Sequence, residues 1–159
     1  MLDHAWIAAH IPHQGSMCLL GSVLQWDSQR IRCRANSHRN PDNPLRSSGQ
    51  LGSACGIEYA AQAMAVHGAL LAPADGTRPH AGFLVSVRGT TMHVPRLDNI
   101  DADLDIEAVC LNGDGGSVLY QFSLRAAGRL LLDGRAAVVL NQEAVTQRET
   151  PTASSGEAP

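Results

Sequence analysis

The sequence contains no lysine; all 12 of its basic residues are arginine. That absence excludes Schiff-base catalysis and a phosphate-loop lysine. Aromatic residues are scarce, at 4%, although hydrophobic residues make up 44%. A core must therefore be built from Ala, Leu, Val and Ile, which suits a small, tightly wrapped fold better than one around a large cavity. There is no basic surplus either: the net charge is −3, against the positive balance usual in nucleic-acid binders. The four cysteines, at 18, 33, 55 and 110, form no close pair and no Cys/His cluster. Neither a structural zinc site nor any other metal or cofactor is expected. The opening MLDHAWIAAHIPH lacks the basic start and long apolar stretch of a secretory leader. The cysteines then read as reduced, mostly buried thiols of a cytoplasmic protein. The longest apolar region, 51–71, is interrupted by Ser53, Glu58, Gln62 and His67 and does not read as a membrane span.

What is present is consistent with one domain over 1–141 and a disordered tail over 142–159, where Thr, Ser, Glu and Pro replace apolar periodicity. Ile11 to Trp26 reads as a short helical turn followed by an edge strand. In Gln29 to Asn36, Ile31, Cys33 and Ala35 alternate with Arg30, Arg32 and Arg34, the period of a half-buried strand. Residues 37–50, with two prolines, two asparagines and a glycine, read as a long loop. From Leu51 to Leu71 the pattern becomes a helix of about five turns, apolar nearly all round and rich in Gly and Ala. Its glycines cost about 1 kcal/mol each against alanine, a cost that close approach of a sheet would offset. Pro73 ends the helix. Four strand-like runs follow: Gly82 to Val94, Asp103 to Asn112, Val118 to Ala127 and Leu130 to Asn141. NGDGG and AAGR supply the hairpin turns. One buried helix and a meander of antiparallel strands bury their apolar faces only if the sheet curls around the helix. The expected class is therefore α+β, in the hotdog arrangement.

The string Gly56-Ile57-Glu58-Tyr59-Ala60-Ala61-Gln62 resembles the central-helix motif of the 3-hydroxyacyl-acyl-carrier-protein dehydratases, an acid followed four residues later by Gln. Ile11-Pro12-His13 ahead of the Met17 to Leu20 run resembles that family's entry segment, and GFLVSVRGTTMHVPRLDNID resembles its strand with a proline before a polar turn. The likeness covers 11–141 and is nearest to the divergent dehydratase-like subunits of aryl-polyene-type pathways. It implies a hotdog fold and an acyl carrier protein as partner. It also implies a histidine–acid pair meeting across the interface of a homodimer or of a heterodimer with a related hotdog subunit. Carried over, the acid is Glu58 and the loop histidine is His38, although the sequence has Ser37-His38-Arg39-Asn40-Pro41 where the family has His-x-Pro-Gly.

Dehydration of a β-hydroxyacyl thioester needs a base for the C2 proton, an acid for the C3 hydroxyl and a donor for the thioester oxygen. On this reading His38 is the base. Glu58 is the acid, kept protonated by desolvation on its apolar helix. The amides around Gly52, Ser53, Cys55 and Gly56 receive the thioester carbonyl, and Gln62 orients Glu58 from the next turn. The competing readings make Glu58 a structural partner of an arginine, His38 a turn residue, and His13 a capping or interface residue. His67 lies half a turn around the helix from Glu58 and reads as packing; His80 and His93 have no assignment. Arg30, Arg32 and Arg34 read as a solvated face, or as an attraction for an acidic carrier protein. Two other functions fit the same residues: a weakly active partner subunit of a heterodimeric dehydratase, and a thioesterase using Glu58 as base for water.

Overall fold

The computed structural model describes residues 1–74, 82–113 and 116–140. The tail expected over 142–159, His80, most of the 73–80 linker and the centre of the NGDGG turn lie outside the described residues.

The chain opens with a two-residue strand, β1 (Leu2–Asp3), and a short helix, α1 (His4–His10), capped by the Asp3 carboxylate accepting from the Trp6 amide at 2.9 Å. Neither element was expected, because a two-residue strand and a two-turn helix are too short to show a period. Strands β2 (Ser22–Trp26) and β3 (Arg30–Ala35) lead into the 36–55 loop and the central helix α2 (Gly56–Leu71). β4 (Gly82–Met92), β5 (Leu104–Gly113), β6 (Ser117–Ala126) and β7 (Arg129–Leu140) complete a seven-stranded sheet in the order β1-β2-β3-β5-β6-β7-β4. Every pairing is antiparallel. The alternations read from sequence place their faces correctly. Ile31, Cys33 and Ala35 are buried, as are Leu104, Ile106 and Ala108. Burial pushes the Cys33 thiol up to about 12, and all four cysteines are free.

Helix α2 buries Tyr59, Ala60, Ala63, Met64 and Val66 against the sheet. This is the hotdog arrangement. The α-helix starts five residues later than the apolar pattern, because Ser53–Cys55 form a 3-10 turn first. Close approach of the sheet explains one glycine. A Cβ at Gly56 would lie 2.7 Å from Leu132 Cδ2 and 2.9 Å from Leu124 Cδ2, whereas nothing lies within 4 Å of one at Gly52 or Gly68. No helix among the described residues is long and apolar enough to cross a membrane.

The β6–β7 turn holds Ala127 at φ 47° before Gly128 at φ 79°. Two consecutive left-handed residues suit Asn-Gly, while an alanine there carries a steric cost of about 1–2 kcal/mol. Ala127→Asn is expected to raise stability by about 0.5–1 kcal/mol, read as a higher urea midpoint at unchanged slope.

Candidate active site

Glu58 sits in the first turn of α2. Gln62, one turn later, is fully buried, and its amide is fully used. Its Nε2 donates to the Met17 carbonyl at 2.7 Å and to Glu58 Oε1 at 3.1 Å, while its Oε1 accepts from the Leu19 amide at 2.8 Å. One side chain thus fixes the Met17 to Leu19 segment and the catalytic candidate together. That segment brings in His13, whose Nε2 lies 3.0 Å from Glu58 Oε1. The His13 and Glu58 side chains are 26% and 32% exposed. Glu58 is therefore open on one side in the single chain, not enclosed in an apolar pocket as the helix pattern led one to expect.

Both neighbours of Glu58 act on the same oxygen. Among the described residues Oε2 has no hydrogen-bond partner. His13 Nδ1 is buried and without a partner among the described residues.

His38 does not join this site. It is fully buried, and its Nε2 donates to the Ile100 carbonyl at 3.0 Å. Burial, the largest influence on it, lowers its pKa from the ordinary histidine value. The 36–55 loop around it is bolted down. Arg46 donates to the carbonyls of His38, Arg39, Asn40 and Gly49, and Arg39 pairs with Asp103 at 2.7 Å. Asp98, gripped by Arg96, accepts from the Leu51 amide at 2.8 Å. The Arg96 guanidinium holds the Asp98 carboxyl well below the usual carboxylate range. Within its own chain His38 is packed in the core, its Nδ1 without a partner among the described residues, and the histidine beside Glu58 is His13, which the sequence reading made a capping or interface residue.

Of the four residues expected to receive a thioester carbonyl, Gly52, Ser53, Cys55 and Gly56, the last three have their amides bonded within the chain. The Ser53 amide donates to Pro95 O at 3.1 Å, the Cys55 amide to Gly52 O at 3.0 Å and the Gly56 amide to Ser53 O. Gly56 faces Leu124 and Leu132 of the sheet. Ser53 is buried and its Oγ lacks a partner among the described residues, while the Cys55 thiol points to the Leu45 carbonyl at 3.7 Å. His67 is buried between Tyr120 OH, at 2.9 Å, and the Asp27 carbonyl, at 2.8 Å. The arginines of β3 face solvent but are not a free basic stripe. Arg30 pairs with Asp27 and Arg34 with Asp105, at 3.5 and 3.6 Å, and Arg32 lies opposite Glu107.

Two consequences are measurable. Gln62→Met would leave the buried Leu19 amide unpaired and free the Met17 carbonyl, at about 1–3 kcal/mol for each lost partner. A loss of more than about 2 kcal/mol in denaturant titration is expected. His38 has a folded pKa below 6.5, its ordinary value, so between the two the unfolded chain binds more protons. Stability is then full above that value and falls as pH drops below it. Stability measured at about pH 7.5 and about pH 5.5 should show a smaller acid loss in His38→Gln, which keeps an N–H for Ile100, than in the wild-type chain.

A family model described as ApeP dehydratase, ApeP-like, matches residues 5–148. The dehydratase heterocomplex ApeI:P from Xenorhabdus doucetiae is similar in structure with a TM-score of 0.75 at 22% identity, over 86% of this chain and 91% of that one. A mutant thioesterase from Pseudomonas aeruginosa follows the same fold with a TM-score of 0.61 at 11% identity, over 87% and 94% of the two chains. Thioesterase superfamily member 2 from Mus musculus gives a TM-score of 0.60 at 14% identity, again over 87% and 94%. At these identities the structures show the fold alone. No sequence among the curated proteins matches.

Proposed function

The chain belongs to the ApeP-like dehydratase family, and from that premise we propose that it dehydrates 3-hydroxyacyl thioesters on acyl carrier protein to trans-2-enoyl thioesters, in fatty acid or polyene biosynthesis. The observation that carries this reading is the Glu58 carboxyl, with Oε1 held by Gln62 at 3.1 Å and His13 at 3.0 Å and Oε2 free on a side chain 32% exposed. A carboxylate fixed at one oxygen and open at the other is a positioned proton acceptor and donor.

Substrate seats its C2–C3 bond over Oε2. Oε2 takes the C2 proton, and the C2–H electron pair delocalises into the thioester as an enolate. As that pair returns to form the C2=C3 bond, the C3–O bond breaks. The proton on Oε2 passes to the leaving oxygen, which departs as water. Glu58 ends as the carboxylate it began as.

Among the described residues β4 ends the sheet with no strand beyond it, and that edge is where a second hotdog subunit, identical or related, would add. The relative named as a dehydratase heterocomplex supports a related hotdog subunit as the partner. The setting proposed is the cytoplasm.

Glu58→Gln keeps an acceptor for both Gln62 and His13 but removes the ionisable oxygen. It should fold like the wild-type chain and lower turnover by about 10²–10⁴. The assay is the change in enoyl absorbance on a crotonyl-type thioester, with the chain alone and with its related subunit. Undiminished turnover in Glu58→Gln would sink the proposal. Release of free thiol without an enoyl change would assign a thioesterase instead.

A further inference from the structure

Two features of the site bear on what the histidine beside Glu58 does. The first is the ring of His13: Nε2 faces Glu58 at 3.0 Å, while Nδ1 is buried with no partner among the described residues. A ring proton on Nδ1 would have no acceptor there, so the tautomer that fits carries its proton on Nε2. That nitrogen donates to Oε1, which also accepts from Gln62. A histidine in this state has no free lone pair turned toward the substrate side and is not itself a base. The second feature is the origin of the contact. His13, Gln62 and Glu58 belong to one chain, and Gln62 fixes the segment after His13 through Met17 O and Leu19 N.

We infer that His13 is a positioning residue which works as an N–H donor to the Glu58 of its own chain, so that one oxygen of the carboxylate is held by two donors, His13 and Gln62. The inference rests on the dehydratase reading of Glu58. It goes beyond that reading in stating what the histidine does and which chain supplies it.

The test separates the two. Glutamine at position 13 offers an N–H near the place of Nε2 but cannot act as a base or an acid. His13→Ala should lower kcat by about 10² with little change in KM, whereas His13→Gln should stay within about tenfold of wild type. Melting curves of both variants establish that they are folded. A His13→Gln chain as inactive as His13→Ala, both folded, would show that the imidazole itself moves protons and overturn the inference. The chain of origin is read by co-expressing His13→Ala and Glu58→Gln copies under different tags and isolating the mixed assembly. Turnover should stay at the level of the two parents. Recovery well above them would mean that the histidine of one subunit serves the carboxylate of another. A chain found to turn over as a monomer gives the own-chain result directly. Undiminished turnover in Glu58→Gln would instead remove the dehydratase reading, independently of either outcome at position 13.

Discussion

The structure of the site depends on the side-chain amide of Gln62. A buried amide with two N–H groups and one carbonyl needs three partners, and a helix interior supplies none of them, because the α2 backbone already bonds to itself. Gln62 finds them in Met17 O, Leu19 N and Glu58 Oε1. The first two lie in the irregular segment between α1 and β2, whose backbone groups cannot enter the sheet ladder. Their mutual satisfaction seats that segment on the helix, and His13, four residues ahead of Met17, arrives beside Glu58 as a consequence. Leu19 is held from the other side too, its carbonyl accepting from Ser37 Oγ at 2.7 Å, while Ser37 Oγ lies 2.8 Å from Tyr59 OH. Asn43 donates to the same Tyr59 oxygen at 3.1 Å. One continuous network therefore runs from Glu58 through Gln62 and Leu19 to the loop at Asn43. Low dielectric makes each member costly to orphan.

That network explains how the fold can keep a carboxylate at the helix start without an arginine. Glu58 has no guanidinium partner among the described residues; the arginines near the loop are occupied by Asp98, Asp103 and backbone carbonyls. Neutral donors orient a carboxylate without neutralising it. A close salt bridge would instead spend its negative charge on a fixed cation. A structural role for Glu58 as the partner of an arginine, one of the readings open at the sequence level, is not what the geometry displays.

The architecture was legible in the sequence where a period could express itself. The alternations of β3 and β5 gave the correct buried faces, and the small residues of α2 marked a helix that a sheet wraps. Glu58 and Gln62 were legible as a pair because i and i+4 share a helix face. What could not be read were contacts between distant segments. His13 and Glu58 are 45 positions apart, joined only because Gln62 spends its hydrogen bonds on the segment in between. No pattern along the chain encodes that choice. β1 and α1 escaped notice for a different reason: two and seven residues are too few to establish a face.

His38 shows how the surroundings of a motif decide where its histidine lies. A histidine in a turn-rich loop before a helix that carries an acid suggests a catalytic pair, but the loop around this one is rich in arginine and asparagine. Arg46 gathers four of the loop's carbonyls, Arg39 ties it to Asp103, and Asn43 is drawn inward to Tyr59. A loop with so many internal hydrogen bonds closes on itself and carries its histidine into the core, where burial holds the ring neutral and Ile100 takes its N–H. The same residues that rigidify the loop thereby set its histidine in the core of its own chain. The histidine beside Glu58 is instead the one that the Gln62 clamp brings to the helix from the other direction, and of its two ring nitrogens Nε2 faces Glu58 while Nδ1 has no partner among the described residues.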